Sequence, residues 1–268
     1  MRFSEIKWVI QKTLTSKNTI NELTAAIIQT GAYHELIDIV PFNLNIEYDS
    51  KDDKFPIVYG STTLMLGSYN HPYLKQGVFY NPETFTMLTY WQYWCTHMLN
   101  MRTEIRKISE IHEFKWELEN QFFVRPNDDS KSFSGMICDY NELLYRFSNI
   151  DDTNPFLNED TIVLISPVLE IEREWRSFIV NKKVISIVRY RLNGETSISS
   201  SDSSASLIAF IERRCQEFTP HNIFVMDVAL YQGVYKIIEC NCFNGTGIYG
   251  HDWNKIVSSI QNFIIHGV

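Results

Sequence analysis

Phe224-Val225-Met226-Asp227-Val228-Ala229-Leu230, closely followed by Val234-Tyr235-Lys236-Ile237-Ile238-Glu239-Cys240-Asn241, is the stretch on which the fold turns. Both runs are apolar and rich in β-branched residues, which predicts two adjoining strands. A carboxylate such as Asp227 inside such a run carries a large desolvation cost unless a cation or a donor meets it. Glu239 repeats the anomaly on the next strand. Side chains alternate along a strand, so Glu239 and Asn241 share one face, and Asp227 can fall on that same face. Three oxygen ligands would suit a hard cation such as Mg²⁺, which takes one or two carboxylates together with phosphate oxygens. Ordinary polar strand residues, with Asn241 satisfied by backbone, are the competing reading, and on these strands alone both stay open. Cys240 and Cys242 alternate around Asn241 and are expected to fill core.

Downstream lies Phe243-Asn244-Gly245-Thr246-Gly247-Ile248-Tyr249-Gly250, a glycine-rich turn able to bring backbone amides to an anion, or simply to join a strand to a last helix over 254–265. Upstream, Glu172-Arg173-Glu174-Trp175-Arg176 opens a strand at 177–180, which Asn181-Lys182-Lys183 turns back into 184–191. That hairpin carries Arg176, Arg189 and Arg191, cations suited to phosphoryl oxygens, or else solvated on a surface. Further upstream, Phe123-Val124-Arg125-Pro126-Asn127-Asp128-Asp129-Ser130-Lys131-Ser132-Phe133-Ser134-Gly135 follows a strand with two cations, several hydroxyls and a closing glycine. It suits a flap over phosphates, or a solvated loop balanced by its own acids. No GxxxxGK[ST] element occurs, so a P-loop is not supported.

The rest of the chain is read more coarsely. Ile6, Val9, Ile10 and Leu14, then Ile20, Leu23 and Ile27, predict two short helices, followed by strand-like runs near 37–42 and 56–61. The aromatic segment 84–101 predicts a buried helix, the charged segment 101–120 a surface helix or pair, and 161–165 a strand. The serine tract 197–204 is expected to be mobile, ahead of a helix at 205–217. At 268 residues with 44% hydrophobic content the chain is a folded protein of two or three lobes. Its net charge of -8 disfavours broad adhesion to nucleic acid or to anionic membranes. No apolar run approaches membrane-spanning length and no signal-peptide pattern is present, so a soluble cytoplasmic protein is expected. The five cysteines are scattered without zinc spacing, and the seven histidines show no metal arrangement.

Taken in order, a cationic strand, a flap ending in Gly135, a strand ending in Ser166-Pro167, the Glu-x-Arg hairpin, the Asp227 strand and the Glu239-x-Asn241 strand resemble the ATP-grasp superfamily. Through Phe123-Val124-Arg125-Pro126, Ser130-Lys131-Ser132-Phe133-Ser134-Gly135 and Glu174-Trp175-Arg176 the likeness is to a phage- and virus-associated clade near the ribosomal-protein glutamate ligases. With Tyr59-Gly60-Ser61 and Leu99-Asn100 it spans about three quarters of the chain. One departure is that many family members carry Lys where this chain has Arg125.

The resemblance implies an α/β (α+β) ATP-grasp fold: an N-terminal lobe at 1–82, a central lobe at 83–165 and a C-terminal lobe at 166–268, the last two clamping ATP between antiparallel sheets. It implies Asp227, Glu239 and Asn241 as Mg²⁺ ligands, and Arg125 and Lys131 on the phosphates. The backbone near Ser166 and Val168 would face adenine, with Glu172 or Glu174 near ribose. Arg176, Arg189 and Lys131 would act on the transferred phosphoryl group. The implied activity is a carboxylate-amine or carboxylate-thiol ligase, joining a small-molecule or peptide carboxylate to an acceptor through an acyl phosphate and releasing ADP and phosphate. A non-catalytic nucleotide-binding module and a small-molecule kinase on the same fold are the alternatives.

Overall fold

The computed structural model describes residues 1–13, 17–114, 121–148, 150 and 154–267. Three sheets organise it. The first is parallel and small, with strands β1 (Ile6–Gln11), β2 (Tyr33–Ile37) and β3 (Phe55–Tyr59) in the order β2-β1-β3. Helix α1 (Lys17–Gln29) connects the first two strands, and α2 (Thr62–Tyr69), N-capped by Ser61, follows the third.

The first expected helix is therefore a strand. Ile6, Trp8, Val9 and Ile10 are all fully buried, because β1 lies between two partners and is covered on both faces. Such a central parallel strand is a short continuous apolar run, and periodicity does not separate it from one turn of buried helix. Leu14 lies outside the described residues.

The second sheet is antiparallel, in the order β4-β7-β5-β6, built from β4 (Glu104–Lys107), β5 (Phe122–Pro126), β6 (Met136–Cys138) and β7 (Ile162–Pro167). Helix α3 (Met87–Trp94) precedes it, and α4 (Tyr140–Ser148) lies between β6 and β7. Two expectations change here. The buried helix is only eight residues long, capped by Thr86 and ended by Cys95 at a positive φ of 37°, unfavourable to most side chains. The charged segment supplies edge strand β4 and a 3₁₀ turn at Ile108–Glu113, since Ile105 pairs with β7 while Ile108 and Ile111 turn into the core; residues 115–120 lie outside the described residues.

The third sheet, in the order β10-β9-β8-β11-β12, is also antiparallel. Its strands are β8 (Arg173–Val180), β9 (Lys183–Leu192), β10 (Glu195–Ser199), β11 (Ile223–Tyr231) and β12 (Val234–Cys242), with α5 (Ala205–Glu217) and the last helix α6 (Trp253–His266). The start of the serine tract is thus an edge strand. Its end is tied down by Asp202, which receives Arg173, Arg189 and the Trp175 indole.

The first and third sheets share their core. Trp8, Ile57 and Leu23 pack with Phe178, Val225, Phe243 and Trp253, and Val58 and Leu64 join Trp94, Leu207 and Met226 on the other side. The central sheet has its own core of Phe114, Phe122, Val124, Leu143 and Ile165. A buried amide bolts the turn after β12 onto β3 and the segment that follows α2: Asn244 donates to the carbonyls of Val58 and Gly77, and its Oδ1 accepts from Phe79 N–H. Among the described residues no helix is long and apolar enough to cross a membrane.

Candidate active site

Between the two antiparallel sheets lies a cavity of about 530 Å³, within the usual size range of small-molecule sites. The third sheet contributes Glu174 and Arg176 from β8, Tyr190 and Arg191 from β9, Asp227 from β11, and Glu239 and Asn241 from β12. Strand β5 offers Phe123 and Arg125, and residues 126–135 cover the cavity with Asp129 and Lys131.

Register brings the acids together. Asp227 is the Cα partner of Glu239, and also of Arg176 on its other side. The Arg176 guanidinium forks onto Asp227, with Nε to Oδ1 at 2.9 Å and Nη2 to Oδ2 at 2.6 Å. Both side chains are almost wholly buried, 9% and 2% exposed. Arg125 pairs with Glu239, and Asn241 Nδ2 donates to Asp227 Oδ2 at 3.4 Å and to Glu239 Oε1 at 3.3 Å. Burial lifts the Asp227 carboxyl against the pull of Arg176. Burial would lift Glu239 too, but Arg125 and then Arg176 overcome it and hold that carboxyl below the ordinary glutamate range.

Two carboxylates and an amide on one buried face form an oxygen-only donor set, which fits a hard divalent cation completed by phosphate oxygens and water. Among the described residues no group of three or more His, Cys, Asp or Glu is gathered to hold a metal. Any cation held here would therefore depend on a ligand for the rest of its shell.

The covering loop is pinned at several points. Asn127 accepts from the N–H groups of Met87 and Leu88, Asp129 Oδ2 accepts from Cys242 N–H at 2.6 Å, and Lys131 Nζ donates to the Gly245 carbonyl at 3.2 Å. Burial pushes the Asp129 carboxyl up to about 7, against the nearby Lys131 charge. A buried acid in a loop otherwise notable for its cations was legible only as counter-charge, so its place in the cavity wall was missed.

Of the residues expected at the site, Arg125, Lys131, Glu174, Arg176, Asp227, Glu239 and Asn241 line the cavity together. Four do not. Ser166 is buried in β7 with its hydroxyl on the Phe123 carbonyl. Val168 and Glu172 border a separate recess at the hairpin ends, where Glu172 accepts from Gly233 N–H.

Arg189 is the clearest displacement. A bulge in β9 opposes Glu174 to Arg191 and Trp175 to Arg189, so Arg189 leaves with Trp175 for the other face and pairs with Asp202 and Ser197. The same bulge gathers Tyr190 and Arg191 around Glu174: Tyr190 Oη donates to its Oε2 at 2.7 Å, and Arg191 Nη1 stands 3.7 Å from its Oε1. Tyr190 stacks on Tyr249 from the glycine-rich turn, with centroids 5.2 Å apart. Burial raises the Glu174 carboxyl, with Tyr190 and Arg191 working against it.

Two antiparallel sheets holding such a cavity, with acids on the last two strands, define an ATP-grasp domain. The chain belongs to that family: residues 101–258, more than half its length, match the ATP-grasp domain, R2K clade family 2. No curated protein matches it in sequence. Among solved structures it is similar to the D-alanine–D-alanine ligase of Bacillus anthracis, with TM-score 0.61 and 12% identity over 97% of each chain. A RimK-domain ATP-grasp protein of Sphaerobacter thermophilus gives TM-score 0.61 and 10% identity over 95% of this chain and 99% of that one. The D-cycloserine synthetase DcsG gives 0.58 and 10% over 95% and 98%. At these identities the likeness is one of fold.

Proposed function

We propose that this chain is an ATP-dependent ligase that activates a carboxylate as its acyl phosphate and transfers the acyl group to an amine, or to a thiol, releasing ADP and phosphate. The observation that carries the reading is the gathering of Arg125, Lys131 and Arg176 with Asp227, Glu239 and Asn241 on the wall of one cavity. Membership of the ATP-grasp family supports it, as do the names of two structural relatives, a ligase and a synthetase. The narrower kinship with phage- and virus-associated members belongs to the same proposal.

Each residue has a task in this scheme. Arg125 and Lys131 neutralise the phosphates, with Lys131 carried on the covering loop. Glu174, fixed by Tyr190, accepts from ribose hydroxyls. Asp227, Glu239 and Asn241 hold Mg²⁺, whose role when bound is to neutralise charge building on the phosphate oxygens. Arg176 stabilises the phosphoryl group as the substrate carboxylate attacks phosphorus and the bond to ADP breaks. The amine then attacks the acyl carbon, phosphate leaves and the nitrogen loses a proton. Arg189, on the far face, has no part in it.

Incubation with Mg-ATP, a mixture of amino acids and other carboxylates, and hydroxylamine tests the scheme. An acyl phosphate yields a hydroxamate with stoichiometric ADP. A stable phosphorylated hydroxyl instead identifies a kinase, and nucleotide binding without ADP release under saturating substrates identifies a binding module.

A further inference from the structure

Arg176 is held by more than its carboxylate. A guanidinium has five N–H groups, and four of those on Arg176 are spent: Nε and one Nη2 hydrogen on Asp227, and both Nη1 hydrogens on Thr246 Oγ1 and the Gly247 carbonyl, each at 3.1 Å. One Nη2 hydrogen is left for a ligand. The Asp227 contacts fix one edge of the plane, and Thr246 and Gly247 fix the other.

Thr246 is itself set from the N-terminal lobe. Its carbonyl accepts from the Tyr59 hydroxyl at 2.7 Å, and both residues are almost fully buried, at 3% and 2% exposure. The Tyr59 ring is wedged edge-on against Trp253, with centroids 5.0 Å apart, which leaves its hydroxyl little freedom. Phosphate chemistry alone gives no reason for a buried threonine hydroxyl behind the arginine. Without it, Nη1 keeps one hydrogen-bond acceptor, the Gly247 carbonyl, with the Tyr249 and Tyr190 rings 4.7 and 5.9 Å from the guanidinium carbon, and the plane is held less firmly at that edge.

We propose that Thr246 is a positioning residue that aims the last N–H of Arg176, and that Tyr59 fixes Thr246, so that the N-terminal lobe controls the cation facing the terminal phosphoryl group. The inference rests on the ATP-dependent reading above. The relay runs Tyr59, Thr246, Arg176, Asp227, and each link is a hydrogen bond between buried groups.

Calorimetry with Mg-ADP and with the Mg complex of a non-hydrolysable imido analogue of ATP tests it on wild type, Thr246→Val, Thr246→Ser and Tyr59→Phe. Thr246→Val should weaken the triphosphate analogue about tenfold, the scale of one charge-assisted hydrogen bond, and leave Mg-ADP affinity unchanged. Thr246→Ser, which keeps the hydroxyl, should restore the wild-type ratio, and Tyr59→Phe should fall between. A purely structural role for Thr246 would weaken both nucleotides alike. If Thr246→Val does not fold, Tyr59→Phe against wild type decides the same ratio. An unchanged triphosphate-to-diphosphate ratio in the valine variant, or failure of serine to restore it, overturns the inference while leaving the ATP reading intact. A wild-type chain that binds neither nucleotide overturns both.

Discussion

Asp227 and Glu239 face one another as Cα partners on β11 and β12, and each carboxylate is met by a different arginine, Arg176 from the same sheet and Arg125 from the sheet across the cavity. The first pair belongs to one rigid sheet. The second spans the two sheets that enclose the cavity, so the charge balance of the site is also a contact between those sheets.

Breaking the Arg176 fork strands a buried carboxylate. Arg176→Ala should cost about 3 kcal/mol of unfolding free energy, and Arg176→Lys should recover little of it, because a single ammonium cannot match a two-pronged contact. Combining Arg176→Ala with Asp227→Asn should cost less than the two changes summed. Urea denaturation of the four variants measures this.

The Asn244 amide should be at least as sensitive. It is fully buried, and Asn244→Ala would orphan the Val58 and Gly77 carbonyls and the Phe79 N–H together. An expected loss of about 3 kcal/mol or more follows from the desolvation of three unpaired groups. Asn244→Asp should be no better, since a carboxylate cannot donate to those carbonyls. Thermal melts would show it.

Two buried groups give opposing pH dependences. Burial, aided by Arg176, lowers His251 to about 3 from 6.5, so below pH 6.5 the unfolded chain binds the extra proton and stability falls with acid. By pH 5 that single group costs about 2 kcal/mol. Burial raises Asp129 to about 7 from 3.8, so in the folded chain it takes up its proton first, and stability is lost as pH rises from 4 through 7. Between pH 4 and 6.5 these two contributions oppose one another. Asp129→Asn should expose the acid-side loss, and His251→Gln a loss toward neutral pH. Two single-variant profiles parallel to wild type would contradict both assignments.

Much of this was legible because strand alternation is a local property. The runs around Asp227 and Glu239, the hairpin through Asn181, and the helix Ala205–Glu217 follow from residues a few positions apart. Strand β1 was not legible, because its two-sided burial depends on β2 and β3, distant in sequence. Nor was the choice between Arg189 and Arg191. A one-residue bulge exchanges the faces of every side chain beyond it, and nothing in Val188-Arg189-Tyr190-Arg191 announces one. The partner of Asp129 is a backbone N–H on β12, which composition does not encode.

Calorimetric titration of the wild-type chain and of Glu239→Gln with Mg-ATP tests the central claim most directly. The account predicts that wild type binds Mg-ATP, and that the isosteric loss of one charged ligand weakens binding at least about tenfold with the fold intact. Absence of binding to the wild-type chain, or binding untouched by Glu239→Gln, would contradict it.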